Sequence, residues 1–297
     1  MSVIAISVVI PTYDPGAAID SCLDALEAQD PGVAFEVVVV DSGSDGTAER
    51  LAGWPGVAVV RCDRRLFPGT GRNLGVERST GPLICFTDAD CVPSADWLRN
   101  IWAARPDEHG TVLGGPILNG TPESLVGTAE YLSEMSGFME GPARCVDFFP
   151  TANLALGRDV FQQVGGFEDL EKGSDVVFGA ACRSAGVRLV FDPRVTVRHN
   201  NRTSMGRFLR NQERLGLGAG TNRVLHDMKG SAVARNPVAW PLVPAARFAR
   251  TTARVMRNRG ARMEFLKVSP LVMLGGLAYG LGFARGAYGA LRRSVTC

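Results

Sequence analysis

The chain has no Cys-x-x-Cys pair, no internal repeat and no low-complexity tract. Its seven cysteines, at 22, 62, 85, 91, 145, 182 and 297, are odd in number. That argues against a disulfide framework and for a reduced compartment; Cys85 sits in an apolar run, where the thiol acts as a small hydrophobe. The N-terminus, MSVIAISVVIPTYDP, has no basic segment ahead of its short apolar run. It is not read as a signal peptide, and the active part is expected to face the cytosol. Acidic residues are scarce at the other end. Residues 196–297 carry 18 Lys and Arg against 3 Asp and Glu, whereas residues 1–195 carry 14 against 27. The net charge of +2 hides this split. A basic tail suits an anionic partner, either nucleic acid or the cytoplasmic leaflet of a membrane. The tail has few aromatic residues for stacking bases, and its arginines adjoin an apolar segment, so a membrane surface is expected and nucleic acid is not.

With 45% hydrophobic and 21% charged residues, the composition is that of a globular protein able to bury a sizeable core. Over the first ninety residues, short β-branched runs alternate with helical patterns. Ile4–Ile10, Phe35–Val40, Val57–Arg61 and Leu83–Thr87 read as strands; Ala17–Ala28, Ser44–Ala52 and Gly71–Ser79 read as helices. Such βαβ alternation predicts a mostly parallel sheet with helices on both faces. Ligands of these sheets sit beyond the carboxyl ends of the strands. Here those ends are Pro11-Thr12-Tyr13-Asp14, Asp41-Ser42-Gly43-Ser44-Asp45-Gly46 and Asp88-Ala89-Asp90. Further strands are expected at Val112–Ile117, Phe148–Leu156, Val187–Phe191 and Val195–Arg198, with a helix at Asp175–Ser184. Beyond Asn200, Ser204–Leu217 reads as a basic helix and Trp240–Arg262 as an amphipathic one. Val268–Ala284 is a nearly unbroken apolar run of 17 residues. A spanning helix needs about 20, so the run could span when tilted, lie in the interface, form a re-entrant hairpin, or pack as a buried helical pair.

The chemistry concentrates in three motifs. Asp88 and Asp90 follow a buried strand, the place where one or two carboxylates and substrate phosphates hold a hard divalent cation such as Mg²⁺ or Mn²⁺. Asp41, at a strand end, can take ribose or base hydrogen bonds, and the same residues can equally form a turn and helix cap. Gly69-Thr70-Gly71-Arg72-Asn73-Leu74-Gly75 lacks both the dinucleotide fingerprint and a Walker lysine; Arg72 can neutralise a phosphate there or sit on a plain helix start.

In order and spacing these segments resemble glycosyltransferase family 2 from about residue 6 to about residue 220. The resemblance rests on Ser7-Val8-Val9-Ile10-Pro11-Thr12-Tyr13, the D-x-S-x-D-G-T-like Asp41–Thr47, and Gly71-Arg72-Asn73-Leu74-Gly75. It continues in Phe86-Thr87-Asp88-Ala89-Asp90, Thr151–Ala155 and Val164-Gly165-Gly166-Phe167-Glu168. It implies an α/β GT-A fold, an inverting mechanism, a nucleotide-diphosphate sugar donor and a divalent metal. Carried over by position, Pro11, Thr12, Tyr13, Asp14, Asp41, Arg72 and Asp88 would contact the donor. Asp90 would hold the metal with help from His199, Asn153 and Glu171 would lie on the acceptor side, and Asp175 would be the catalytic base. Three positions depart from the family pattern: Ser174 stands for the usual Glu before the base, Val177 for an acidic residue after it, and Asp14 for Asn. Glu171 is near enough in sequence to substitute as base.

The expected organisation is a transferase domain over 1–220, with a donor half (1–115) and an acceptor half (116–220), followed by a basic and apolar helical extension (221–297). The expected activity is transfer of a sugar to a lipid-linked or polysaccharide acceptor at the cytoplasmic face of the inner membrane. Two other readings are a non-catalytic nucleotide-sugar binder or assembly partner, and a nucleotidyltransferase. The latter would want a lysine-bearing glycine loop that Pro11–Gly16 does not supply.

Overall fold

A computed structural model describes residues 3–107 and 110–295, so Met1, Ser2 and Cys297 lie outside the described residues. Packing divides the chain into two compact units, Met1–Leu118 with Glu140–His199, and Asn119–Met139 with Asn200–Cys297.

The first unit opens with the expected alternation of β1 (Ile6–Thr12), α1 (Ala18–Glu27), β2 (Phe35–Asp41), α2 (Thr47–Leu51), β3 (Val57–Arg61), α3 (Pro68–Glu77) and β4 (Leu83–Phe86). Next come β5 (Cys91–Pro93), α4 (Trp97–Ala104), β6 (Thr111–Gly114) and β7 (Ile117–Asn119). After α5 (Leu125–Met135), which packs in the second unit, the chain returns with β8 (Arg144–Cys145), β9 (Leu154–Gly157), α6 (Arg158–Val164), α7 (Ser174–Ser184), β10 (Arg188–Phe191) and β11 (Val197–His199). Eight strands form one sheet in the order β3-β2-β1-β4-β9-β6-β10-β8, and β5-β11-β7 form a small second one. The large sheet is parallel across β3, β2, β1 and β4. Beyond them it is mixed, because β9 runs antiparallel between β4 and β6. Val8, Val9, Ile10, Val38 and Val39 are fully buried at its centre, as continuous β-branched runs in a two-sided sheet should be.

Three boundaries differ from expectation for local reasons. β1 runs on to Thr12 despite Pro11. Val9 O accepts from Thr87 N on the β4 side and Thr12 O accepts from Ser42 N on the β2 side. Pro11 therefore presents its missing N–H toward β4, which has already stopped at Phe86. The stretch expected as a strand at Val112–Ile117 breaks into β6 and β7, because a side chain at Gly115 would collide with the carbonyls of Asp192 and Val195. Of Phe148–Leu156, only Leu154 onward is strand; Thr151–Asn153 is a 3₁₀ turn after Pro150. Phe149 owes its burial to packing on Gly114 rather than to a strand.

The second unit is helical, comprising α5, α8 (Met205–Leu225), α9 (Ser231–Ala234), α10 (Val243–Val255) and α11 (Arg262–Val295). The amphipathic stretch 240–262 is not one helix. It is α10 flanked by 3₁₀ turns, the second held where Asn258 Oδ1 accepts from Gly260 N. The apolar run lies inside α11, a single 34-residue helix, which rules out a re-entrant hairpin. α11 runs parallel to α8: Phe208 packs on Gly275, the Glu213 carbonyl on Gly282, and Gly220 on Phe283 and Ala287. Side chains at Gly216, Gly220, Gly282 or Gly286 would collide with partner backbone, so the two helices meet main chain to main chain. A polar network lies beside them. Buried Glu130 accepts from Arg202 (3.0 Å) and Asn211 (3.0 Å), and Glu134 accepts from Asn211 (2.8 Å) and Gln212 (2.6 Å). The buried Glu130 carboxylate is thus partnered, which is the condition for keeping it in a core.

Candidate active site

β1 is bonded to β2 with Thr12 opposite Asp41, and to β4 with Val9 opposite Phe86. The carboxyl ends of the three strands therefore open on one edge, and the polar residues there fall into two corners.

At the β1/β2 corner Asp41 is 3% exposed. One oxygen accepts from the Thr12 hydroxyl (2.8 Å) and Gly43 N (3.1 Å), and the other from Ala48 N (3.2 Å) in the first turn of α2. Asp45 accepts from Thr47 N (3.1 Å) and Gly16 N (3.0 Å); its bonds with Thr47, then that with Gly16, hold its carboxyl below the ordinary range. Asp14 takes a left-handed backbone (φ 48°), a conformation that Asn and Asp tolerate best among non-glycine residues. This accounts physically for Asp at a position where Asn is the family's habit. Its carboxylate accepts from Ser44 N at 2.6 Å. Gly43 permits that approach, since a Cβ there would lie 2.6 Å from Asp14 N. Tyr13 is 46% exposed and carries the Arg65 guanidinium 4.4 Å from its ring centroid. Half-buried Pro11 lies under Gly71 of α3.

The β4 corner is built by α3 and α7. Gly71 packs on Pro11, and a side chain at Gly75 would collide with Val9, so these glycines serve close helix–sheet packing rather than a phosphate loop. Arg72, 4% exposed, donates to Asp88 at 2.5 Å and lies 5.8 Å from the Phe167 ring centroid. Its Nε is buried without a hydrogen-bond partner. The Asn73 amide clasps the Phe167 backbone, donating to its carbonyl (2.7 Å) and accepting from its N–H (2.9 Å). Gly69 leaves room for Ser174 at the start of α7. Arg72, one turn along the same face of α3, thereby brings its charge to Asp175. Burial pushes the Asp175 carboxyl above the ordinary range, and the Arg72 charge opposes that rise.

Asp90 lies 3.6 Å from His199 Nε2, carried there because β5 pairs with β11 with His199 opposite Cys91. Asp90, Cys91 and His199 bring one ligand atom each within 4.8 Å of one another, a group able to hold a metal ion. The Cys91 thiol is fully buried and held protonated by desolvation, then by the charges of Asp90 and Asp88. Asn153 follows Ala152, whose carbonyl accepts from the Thr87 hydroxyl next to Asp88 (3.0 Å). It is 1% exposed, accepts from Trp97 Nε1 (2.9 Å) and donates to the carbonyls of Val195 (2.8 Å) and Pro116 (3.2 Å), a joint in the frame rather than part of a ligand surface. Glu171 is exposed on the segment before α7.

Sequence reasoning missed three of these contacts. Cys91 directly follows the D-x-D, which was signal enough to name it. The Arg65–Tyr13 stack and the Asn73–Phe167 clasp join positions far apart in sequence, and no local pattern announces them.

Residues 7–141 match the family described as Glycosyl transferase family 2. Glycosyltransferase AglE of Haloferax volcanii is 30% identical over 220 residues, an overlap of 72% of each chain. The chain belongs to glycosyl transferase family 2. It is a glycosyltransferase, and it is also similar to the pre-mycofactocin glycosyltransferase of Mycobacterium tuberculosis, 25% identical over 211 residues. That overlap covers 67% of this chain and 43% of the relative. The family 2 fold is also that of a solved structure, mannosyltransferase PcManGT from Pyrobaculum calidifontis in complex with GDP-Man and Mn²⁺. The two share 20% identity at a TM-score of 0.61, covering 94% of this chain and 86% of that one. This is the mixed α/β GT-A architecture with a C-terminal apolar helix added.

Proposed function

We propose that this glycosyltransferase moves a sugar, with inversion, from a nucleotide-diphosphate sugar to a lipid-linked or saccharide acceptor at the cytoplasmic face of the inner membrane. The observation that carries the reading is the convergence of Arg72, Asp88 and Asp175, two residues along the chain from Asp90 and its neighbour His199. Asp175 takes the proton of the acceptor hydroxyl as that oxygen bonds to the anomeric carbon. The bond from that carbon to the diphosphate breaks on the opposite face, and the electron pair leaves with the diphosphate. A desolvated carboxylate suits this task because its raised pKa makes it a better base. Asp88, steered by Arg72, faces the donor, with Pro11, Thr12, Tyr13, Asp14 and Asp41 forming the nucleoside side.

Asp90 and His199 fit a divalent cation completed by phosphate oxygens, Mn²⁺ accepting the imidazole more readily than Mg²⁺. The buried, protonated Cys91 thiol does not suit a hard ion. Bound there, the cation would offset negative charge on the departing diphosphate. Residues 1–220 form the catalytic domain in this reading, and 221–297 the membrane-associating extension. Support for the membrane comes from the basic tail and from α11, the one described helix long and apolar enough to cross a bilayer.

The test is binding of a panel of nucleoside diphosphates and their sugars, with and without Mn²⁺, beside Asp90→Ala. Metal-dependent binding of one nucleotide, lost in the variant, is expected. Binding to none of them, or binding indifferent to metal and to Asp90, would refute the metal-dependent donor site.

A further inference from the structure

α11 is long and apolar enough to cross a membrane, yet its packing within the second unit argues that it lies along one. The portion of α11 from Tyr279 to Ala287 is joined main chain to main chain with α8 from Glu213 to Gly220, in parallel, and Gly275 before it receives the Phe208 ring. α8 carries Arg207, Arg210, Glu213, Arg214 and Arg223 in 21 residues. Were α11 to span the bilayer, α8 would have to enter with it, and each charge at mid-bilayer disfavours insertion by about a hundredfold or more. The alternative, peeling α11 away, would strip glycine-lined backbone from both helices.

The face of α11 turned from α8 has a different character. Met263, Leu266, Met273, Leu274, Leu277, Leu281 and Tyr288 are each more than two-fifths exposed. They recur at three-, four- and seven-residue steps, so they share one side of the helix. Only 39% of the most apolar stretch is buried, unlike a core helix. Cations sit on the same side at both ends, Lys267 beside Leu266 and Arg292 5.0 Å from the Tyr288 ring centroid, both exposed; Arg285 instead pairs with Glu213 of α8. An apolar stripe bracketed by cations fits the boundary between acyl chains and anionic headgroups. Nucleic acid would use the cations and leave the leucines wet.

We infer that α11 is an interfacial anchor. It lies in the plane of an anionic phospholipid surface on its Met263–Tyr288 stripe and does not cross the bilayer. This rests on the membrane reading of the proposed function and specifies its geometry.

The test uses the full chain with vesicles of phosphatidylcholine alone and of equal parts phosphatidylcholine and phosphatidylglycerol. Flotation with the anionic vesicles is expected, weakened by salt and released by an alkaline carbonate wash. Lys267→Gln with Arg292→Gln, a surface pair that leaves the fold intact, should weaken binding about 25-fold, roughly fivefold per charge. Leu277→Asp should abolish it. With the protein bound, Glu264→Cys and Arg293→Cys, exposed beside the stripe rather than on it and read by mass spectrometry of their own peptides, should both react with an impermeant maleimide from outside. Resistance to carbonate with only one end labelled would show a span and overturn the inference. So would binding to nucleic acid but not vesicles, or a detergent-free dimer that ignores vesicles. Metal-dependent nucleotide binding, measured on the same preparations, reads the transferase assignment separately. Its loss leaves vesicle binding to stand, and its persistence without vesicle binding sinks the anchor alone.

Discussion

The two corners of the strand-end edge are built from the same residue types and handle them in opposite ways. At the β1/β2 corner, Asp41 and Asp45 each accept from two or three groups of β1, α2 and the loops between, and Asp14 accepts from Ser44, and the result is a rigid turn. At the β4 corner, Arg72 keeps a buried Nε without a partner, Asp175 is desolvated, and Asp90 stands 3.6 Å from His199. A buried polar atom left incomplete is costly to a fold, so the Arg72 Nε points to what a ligand is to complete. In the proposed reading the first corner is the rigid frame that seats the nucleoside, and the second carries the reacting groups.

The largest expected effect falls on the second corner. Asp175→Asn should lower turnover by about 10²- to 10⁴-fold. Its thermal midpoint should hold or rise. Because the folded carboxyl titrates above its unfolded value, ionising it costs stability as pH climbs from the ordinary carboxylate range through the folded value, and Asn is free of that cost. A variant that unfolds early yet turns over normally per folded molecule would erase the distinction between the corners. Next, Asp90→Ala and His199→Gln should weaken Mn²⁺-dependent nucleotide binding more than about tenfold, seen by titration calorimetry with and without the metal.

The frame corner should answer in stability instead. Asp41→Asn loses charge-assisted bonds to Gly43 and Ala48, about 2 kcal/mol, a drop of about 4–8 °C in Tm by calorimetry. Turnover of the folded fraction at saturating donor should be largely kept; an unchanged Tm with lost turnover would move Asp41 to the chemical side. The smallest expected change is in pH dependence. The acid limb of the rate should lie above the ordinary carboxylate range of about 4, since Asp175 must be ionised to act. Arg72→Met, removing the charge that opposes the rise, should displace the limb further upward. A downward displacement would mean Arg72 does not face Asp175.

Much of this was legible in the sequence wherever one strand or helix determines its own pattern. β2 and β3 were placed to within a residue, and the carboxylates at the strand ends do share an edge. Legibility failed where distant segments decide. The run Phe148–Leu156 reads as a strand by apolarity, but Pro150 and the Asn153 bonds to Trp97, Pro116 and Val195 turn its first half into a joint. β9 enters the sheet antiparallel, which no local signal marks. The glycines around Arg72 resemble a phosphate loop in composition, and their use as helix-to-sheet spacers shows only once Val9 and Pro11 are beside them.

The backbone-to-backbone seam between α8 and α11 bears on how this enzyme can be trimmed. A membrane tether is ordinarily removable, and cutting it frees a soluble catalytic body. Here the last helix fills a groove whose floor is bare main chain, so a chain shortened to residue 260 would expose Gly216 and Gly220 with nothing to cover them. On the proposed reading the tail is at once the anchor and a wall of the second unit, and a shortened enzyme would lose fold integrity together with attachment.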